Sequence, residues 1–195
     1  MVDLELATVL SGFARTMLTD LPPQGIPDEL ADRVGEVVPV SGAAVTLVSP
    51  GLTPQHVAAT GPGTIAIERL QTELGEGPGT TAFDTGDAVA VPDLADDARF
   101  PRFGPAAVAA GMAAVFAFPL RHGDARLGSL ALYRDVVGPL APDEAEAAQM
   151  LADVTAAYLL NAQARQRAQV ATDWLRDGSL RDALTGLPNR CCCAS

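Results

Sequence analysis

The chain has 195 residues, 48% of them hydrophobic, which suits one ordinary domain with extensions and argues against a disordered chain. Its 13 basic residues, all arginine, face 24 acidic ones for a net charge of −11; residues 1–160 carry 8 arginines and 21 acids (−13), and residues 161–195 carry 5 and 3 (+2). So acidic a body repels phosphate backbones, which argues against nucleic acid as its partner.

The opening "MVDLELATVL" has acids where a signal peptide needs positive charge. Leu6, Leu10, Phe13 and Met17 are spaced 4, 3, 4, the seam of an amphipathic helix. Such a narrow stripe suits pairing with a partner helix, or covering its own domain. "LPPQG" breaks the chain, and Pro27, Asp28 and Glu29 open a second helix whose inner face is Leu30, Val34 and Val37. From Val40 the period shortens. "AAVTLVS" and "QHVAAT" read as two strands, "IAIERLQTEL" as a short helix, "GEGPG" as a bend, "TTAFDTG" as a helical turn and "AVAVPDL" as a short strand. Pro92 places that strand's end at a sheet edge. "DDARFPRFGPAAVAAG" is a loop and then a helix that Gly111 terminates. "AAVFAFPLR" and "RLGSLALYR" form an antiparallel hairpin around "HGDA". Pro142 opens a last helix that nothing interrupts before Gly178, about 35 residues and roughly 50 Å.

The longest uncharged run, Gly104–Leu120, is shorter than the roughly 20 apolar residues of a membrane span. A cytoplasmic protein without membrane contact is expected. Its three cysteines, Cys191–Cys193, are consecutive, which is neither a disulfide framework nor metal-ligand spacing. No metal and no cofactor are expected.

The stretches "LQTELGEGPGTTAFDTGDAVAVPDL", "DARFPRFGPAAVAAGMAAVFAFPLR" and "RLGSLALYR" resemble the GAF domains of actinobacterial signalling proteins. GAF is a small-molecule-sensing fold related to PAS. The resemblance spans about residues 26–170. It implies an α+β fold: a GAF/PAS-like antiparallel sheet flanked by helices, with long N- and C-terminal helices. It further implies helices on one face and a ligand pocket on the other. The expected organisation is an N-terminal helix (1–25), the sensor domain (26–138), a long signalling helix (139–178), and a truncated next domain with an aberrant tail (179–195).

Where many relatives carry Cys after "GEGP", this chain has Gly79, and no cysteine lies in the body. That disfavours sulfoxide-reductase chemistry and bilin attachment. The Asn-Lys-x-x-x-Phe-x-x-x-Asp-Glu signature of cyclic-GMP-binding relatives is missing. Haem would need a buried histidine; His122 falls in the hairpin turn and His56 on a strand. The pocket candidates are Phe83, Phe100, Phe103, Phe116 and Phe118, with Arg99 or Tyr133 as polar anchors beside Arg69 and Arg102. The alternative is that the phenylalanines are ordinary core. Asp96 and Asp97 read as loop and cap residues rather than an acid/base pair.

"LRDALTGLPNR" resembles the opening of a diguanylate cyclase (GGDEF) domain, in Asp182, Leu184, Thr185, Leu187, Asn189 and Arg190. The Gly-Gly-Asp/Glu-Glu-Phe loop that binds GTP and metal is absent from the chain. "CCCAS" reads as a frameshifted remnant of that domain. With the TGC codons that a GC-rich gene favours, one G inserted in the Arg190 codon turns the three cysteines into leucines; the alternative is a cloning scar or a natural tail. The expectation is therefore a non-enzymatic regulatory module, homodimeric, that binds an unknown small-molecule ligand. It would relay the signal through its terminal helices to a cyclic di-GMP-forming output domain. The alternative is a dimerisation or interaction module that binds no ligand.

Overall fold

The hairpin expected around "HGDA" organises the sheet. In the computed structural model, β4 (Ala114–His122) and β5 (Ala125–Arg134) pair antiparallel, with His122 opposite Ala125 and Ala114 opposite Arg134. The structure describes residues 8, 11–12, 25–48, 55–61 and 63–180, without the side chains of 55–57 and 173–180. Of the expected N-terminal helix (1–25), residues 8, 11, 12 and 25 are among these; residues 8, 11 and 12 are helical, and Gly25 is the N-cap of the helix that follows. The cyclase-like segment beyond Leu180 and the cysteine tail lie outside them.

In chain order the elements are α1 (Ile26–Val37), β1 (Gly42–Leu47), β2 (Gln55–Thr60), α2 (Thr64–Leu74), α3 (Pro78–Thr85), β3 (Val89–Val91), α4 (Phe103–Ala109), β4, β5 and α5 (Pro142–Leu180). The five strands form one antiparallel sheet in the order β2-β1-β5-β4-β3. Strand β5 joins its two halves by pairing β4 on one side and β1 on the other. Gly128, opposite Leu47, permits that second pairing, because a Cβ there would lie 1.9 Å from the Thr46 carbonyl oxygen. Strand β3 ends at Pro92, on the outer edge as expected.

Period-two alternation divides the buried strand residues between two faces. Ala44, Val115, Ala117, Ala131 and Tyr133 belong to one apolar cluster with Ile67 of α2, Ala82 of α3, and Phe103 and Ala107 of α4. Val45, Phe116, Phe118, Leu130 and Leu132 alternate to the opposite face and are equally buried. That face is left for α1, which packs on β1 and β2 through Leu30 and Val34, and for the start of α5. There Ala147, Ala148, Leu151 and Ala152 are fully buried, and Gln149 Nε2 donates to the Pro119 carbonyl at 3.3 Å. Helices therefore cover both faces, not one. The physical reason is composition: both sets of strand side chains are apolar, and neither can be left in water.

Helix starts follow the local chemistry. Pro27 sits in the first turn of α1 with Asp28 and Glu29 beside it, and Arg33 closes onto Glu29 at 2.9 Å. Gly111, at φ 89°, follows α4 as expected. Helix α5 runs through Gly178 to Leu180, 39 residues or about 58 Å. A glycine costs a helix only about 1 kcal/mol relative to alanine, too little to stop it. By internal packing the chain divides into Met1–Leu159 and Leu160–Ser195. Residues 164–172 of α5 are all exposed, as the polar sequence "RQRAQVATD" requires.

Candidate functional site: a buried carboxylate beside a small cavity

Helix α2 turns Thr64, Ile67, Glu68 and Gln71 inward on one face. Ile67 joins the apolar cluster, but Glu68 and Gln71 carry polar groups into the same interior. Glu68 is only 4% exposed. Tyr133 of β5 donates its hydroxyl proton to Glu68 Oε1 at 2.6 Å, and Thr46 of β1 donates to Oε2 at 3.0 Å. Gln71 Nε2 donates to Glu68 Oε1 at 3.1 Å and to the Tyr133 hydroxyl at 2.9 Å. The backbone N–H of Gly79, in the first turn of α3, donates to Gln71 Oε1 at 3.0 Å. That last bond fixes which way the Gln71 amide points, since its oxygen is taken by Gly79 and only its NH₂ remains for Glu68.

Three elements and the α3 entry thus converge on one carboxylate. The bend "GEGPG" makes this possible. A Cβ on residue 79 would stand 3.1 Å from Ser129 Oγ and 3.3 Å from Gln71 Oε1, so the glycine lets the α3 backbone approach. Beside the cluster lies a cavity of about 30 Å³ lined by Thr46, Val48, Glu68, Gln71, Thr72, Gly79, Thr80, Phe83 and Ser129. It is large enough for one or two water-sized groups. Its rim residues Val48, Thr72, Thr80 and Phe83 are half-buried, so it is not sealed.

Burial pushes the Glu68 carboxyl above the usual carboxylate range, against the opposing pull of the hydrogen bonds from Tyr133, Thr46 and Gln71. Burial, and next the charge of Glu68, raise the Tyr133 phenol well above its ordinary value. The hydroxyl therefore stays protonated and serves as a donor.

Of the residues singled out in the sequence, Tyr133 and Phe83 come to this site. Phe100 and Phe103 pack edge to face at 6.4 Å within the apolar cluster, and Phe100 also lines an open groove of about 500 Å³ with Leu94, Asp96, Asp97 and Val108. Phe116 and Phe118 alternate to the other face of the sheet and are buried there. The arginines stay outside the cavity. Arg99 is bound to Asp97 and to the Ala90 carbonyl and lies 5.6 Å over the Phe100 ring. The backbone N–H groups of Arg102 and Phe103 donate to Glu76 Oε1 at 2.8 and 3.0 Å; those bonds hold the Glu76 carboxyl below its ordinary value and cap α4. Arg69 is exposed on the outer face of α2. Asp97 accepts from the Arg99 backbone N–H, the loop role expected of it.

The sequence reading passed over Glu68, Gln71, Thr46 and Ser129. A signal was present: Glu68 and Gln71 share the helical face of Thr64 and Ile67, and polar residues on an inward face need partners. Among the described residues no group of three or more histidine, cysteine, aspartate or glutamate side chains could hold a metal ion, and no helix is long and apolar enough to cross a membrane.

A comparison with curated proteins finds no match. Solved structures do match in fold. A GAF domain from a phosphoenolpyruvate-protein phosphotransferase of Coxiella burnetii is similar at 15% identity and TM-score 0.68, covering 84% of this chain and 98% of that one. A free methionine-R-sulfoxide reductase from Neisseria meningitidis, in complex with its substrate, is similar at 14% identity and TM-score 0.65, over 85% and 92%. The chromophore-binding domain of a bacteriophytochrome from R. palustris is similar at 12% identity and TM-score 0.63, over 83% and 63%. At these identities the likeness is one of fold. The GAF domain family matches over residues 22–159, the stretch that holds the whole five-stranded sheet, and the chain belongs to that family.

Proposed function

We propose that this chain is a cytoplasmic, homodimeric regulatory module of actinobacterial type. It binds a small ligand at the Glu68 cavity and relays its occupancy through α5 to a cyclic di-GMP-forming domain whose opening residues are "LRDALTGLPNR". The observation that carries this reading is the convergence of Thr46, Gln71 and Tyr133 on a buried carboxylate beside an unsealed cavity. A fold stabilised for its own sake gains little from such a group, since an apolar residue would fill the space at lower cost. We read the module as non-catalytic: its three cysteines are residues 191–193 of the sequence, beyond the family match over residues 22–159, so the thiol chemistry of the reductase relatives has no cysteine nucleophile in that stretch.

A continuous set of contacts supports the relay. Gly79 and Gln71 tie the cavity to the start of α3. At the other end of α3, Arg121 donates to the Gly86 carbonyl and Arg126 to the Asp84 carbonyl, which holds the helix to the β4–β5 hairpin. Arg121 also stands 3.9 Å from Asp153 of α5.

The test is native mass spectrometry of the purified chain, followed by thermal shifts with a panel of small metabolites. A bound small molecule, or a compound that raises the melting temperature in the chain but not in a Glu68→Gln variant, is expected. A second reading is favoured by the cavity's size of about 30 Å³, small for a ligand pocket. Bare protein and no shift with any compound would leave the interaction module.

A further inference from the structure

Among the described residues, Glu68 is an acceptor with no cationic partner. The groups around it are Thr46 from β1, Tyr133 and Ser129 from β5, Gln71 and Thr72 from α2, and Gly79, Thr80 and Phe83 from α3. Of these only Tyr133 titrates, and it is held in its protonated form. The chain has no lysine. Among the described residues no arginine is hydrogen-bonded or ion-paired to Glu68. His56 stands opposite Thr46 in the β1–β2 register, and its side chain is outside the described set.

The hydrogen-bond directions matter here. Gly79 commits the Gln71 oxygen, Gln71 therefore donates, and the Tyr133 oxygen accepts one of those protons. The Tyr133 proton must then go to Glu68 Oε1, which already receives the second Gln71 proton. Oε1 is thus an acceptor with two donors, and only Oε2, shared with Thr46, has a lone pair to spare toward the cavity. Buried carboxyls are kept neutral by a proton or paired with a positive charge. With the cavity empty, a proton on Oε2, which the Thr46 hydroxyl then turns to accept, neutralises Glu68; the cavity leaves space for a cation in its stead when it is filled.

We infer that the cavity at Glu68 takes a compact primary ammonium group and that its entry displaces one proton from the Glu68 carboxyl. The inference rests on the reading of this cavity as a ligand site. Glu68–COOH and R–NH₃⁺ become Glu68–COO⁻ paired with R–NH₃⁺, and H⁺ leaves to solvent. The chemistry fits an ammonium better than a metal ion. The acceptors at hand are one carboxylate oxygen and the hydroxyls of Thr46, Ser129, Thr72 and Thr80, which suit three N–H donors. A divalent cation needs about six oxygen ligands and more negative charge. A volume of about 30 Å³ admits an ammonium head and excludes a quaternary one.

The experiment uses the full chain and titrates ammonium chloride, methylammonium chloride, tetramethylammonium chloride, potassium chloride and sodium acetate by calorimetry. Millimolar concentrations suit ligands of so few atoms. Runs in two buffers of different ionisation enthalpy count the protons released. In the pH range where the free protein holds Glu68 protonated, ammonium and methylammonium are expected to bind with release approaching one proton. Their affinity should rise toward tenfold per pH unit in the range where the free protein holds Glu68 protonated. Glu68→Gln should abolish binding, and His56→Gln should leave both binding and proton count unchanged. The proton count on the unaltered chain decides the matter even if a variant fails to fold. Binding without proton release, equal binding of potassium or tetramethylammonium, or a proton count lost in His56→Gln overturns the inference. If acetate or an uncharged metabolite from the panel binds instead, the ammonium assignment falls while the ligand-site reading stands. If nothing binds and no adduct co-purifies, both fall.

Discussion

Replacing Glu68 with glutamine should make the protein more stable at neutral pH. The amide has the shape of the carboxylate. Its oxygen, in the place of Oε1, still accepts from Tyr133 and Gln71, and its NH₂, in the place of Oε2, faces the Thr46 hydroxyl, which turns to accept. The hydrogen bonds survive and the titratable charge is gone. The magnitude follows from linkage. An unfolded glutamate titrates near pH 4.3, and burial holds the folded Glu68 above that. A raised folded value means that the group's contribution to stability is complete below the unfolded value. It is lost as pH rises, at about 1.4 kcal/mol per pH unit, until the native carboxyl itself ionises. Glutamine loses nothing over that window. The two proteins should therefore be close near pH 4, and the glutamine variant should lead by about 1.4 kcal/mol for each pH unit above it, up to a plateau. With a urea dependence of about 2 kcal/mol per molar for a domain of this size, each unit moves the unfolding midpoint by roughly 0.7 M. Urea titrations in ammonium-free buffer from about pH 4 to about pH 8 measure it. Parallel stability curves, or a wild-type advantage that grows with pH, would refute a buried carboxyl without a cation.

Tyr133→Phe removes a donor to Glu68 and an acceptor for Gln71 in one step, with an expected cost of about 1–3 kcal/mol by urea unfolding; an unchanged midpoint would contradict the hydrogen-bonded cluster. Gly128→Ala places a methyl against the Thr46 carbonyl and must separate β1 from β5, so a loss of more than about 3 kcal/mol, or no folded protein, is expected; near-neutral behaviour would contradict the register. Glutamate at Leu10 and Phe13 should convert a dimer to a monomer in light scattering, and an unaltered chain that is monomeric at tens of micromolar removes the dimer proposal. Incubation with GTP and Mg²⁺ should yield no cyclic di-GMP by chromatography; turnover that tracks the pure protein would overturn the non-catalytic reading.

Much of the architecture was legible because it is written in short-range signals. Pro27 and Pro142 at helix starts, Gly111 after α4, Pro92 at the sheet edge and "HGDA" in the hairpin each act within a few residues of themselves. Period-two alternation also placed Phe116 and Phe118 together on one face. It could not say which face. That depends on β5 pairing with β1 across more than eighty residues, and on α1 and α5 taking the side that α2–α4 leave open. The site was less legible still. Phe83 and Tyr133 were found through a general preference for aromatic and polar groups in pockets. Glu68 and Gln71 were visible only as polar residues on an inward helical face. What they do was decided in three dimensions, because a carboxylate's character is set by its neighbours. Thr46, Gln71 and Tyr133 come from separate elements to aim protons at it, Gly79 orients the Gln71 amide, and the burial they share keeps Glu68 from being an ordinary surface acid.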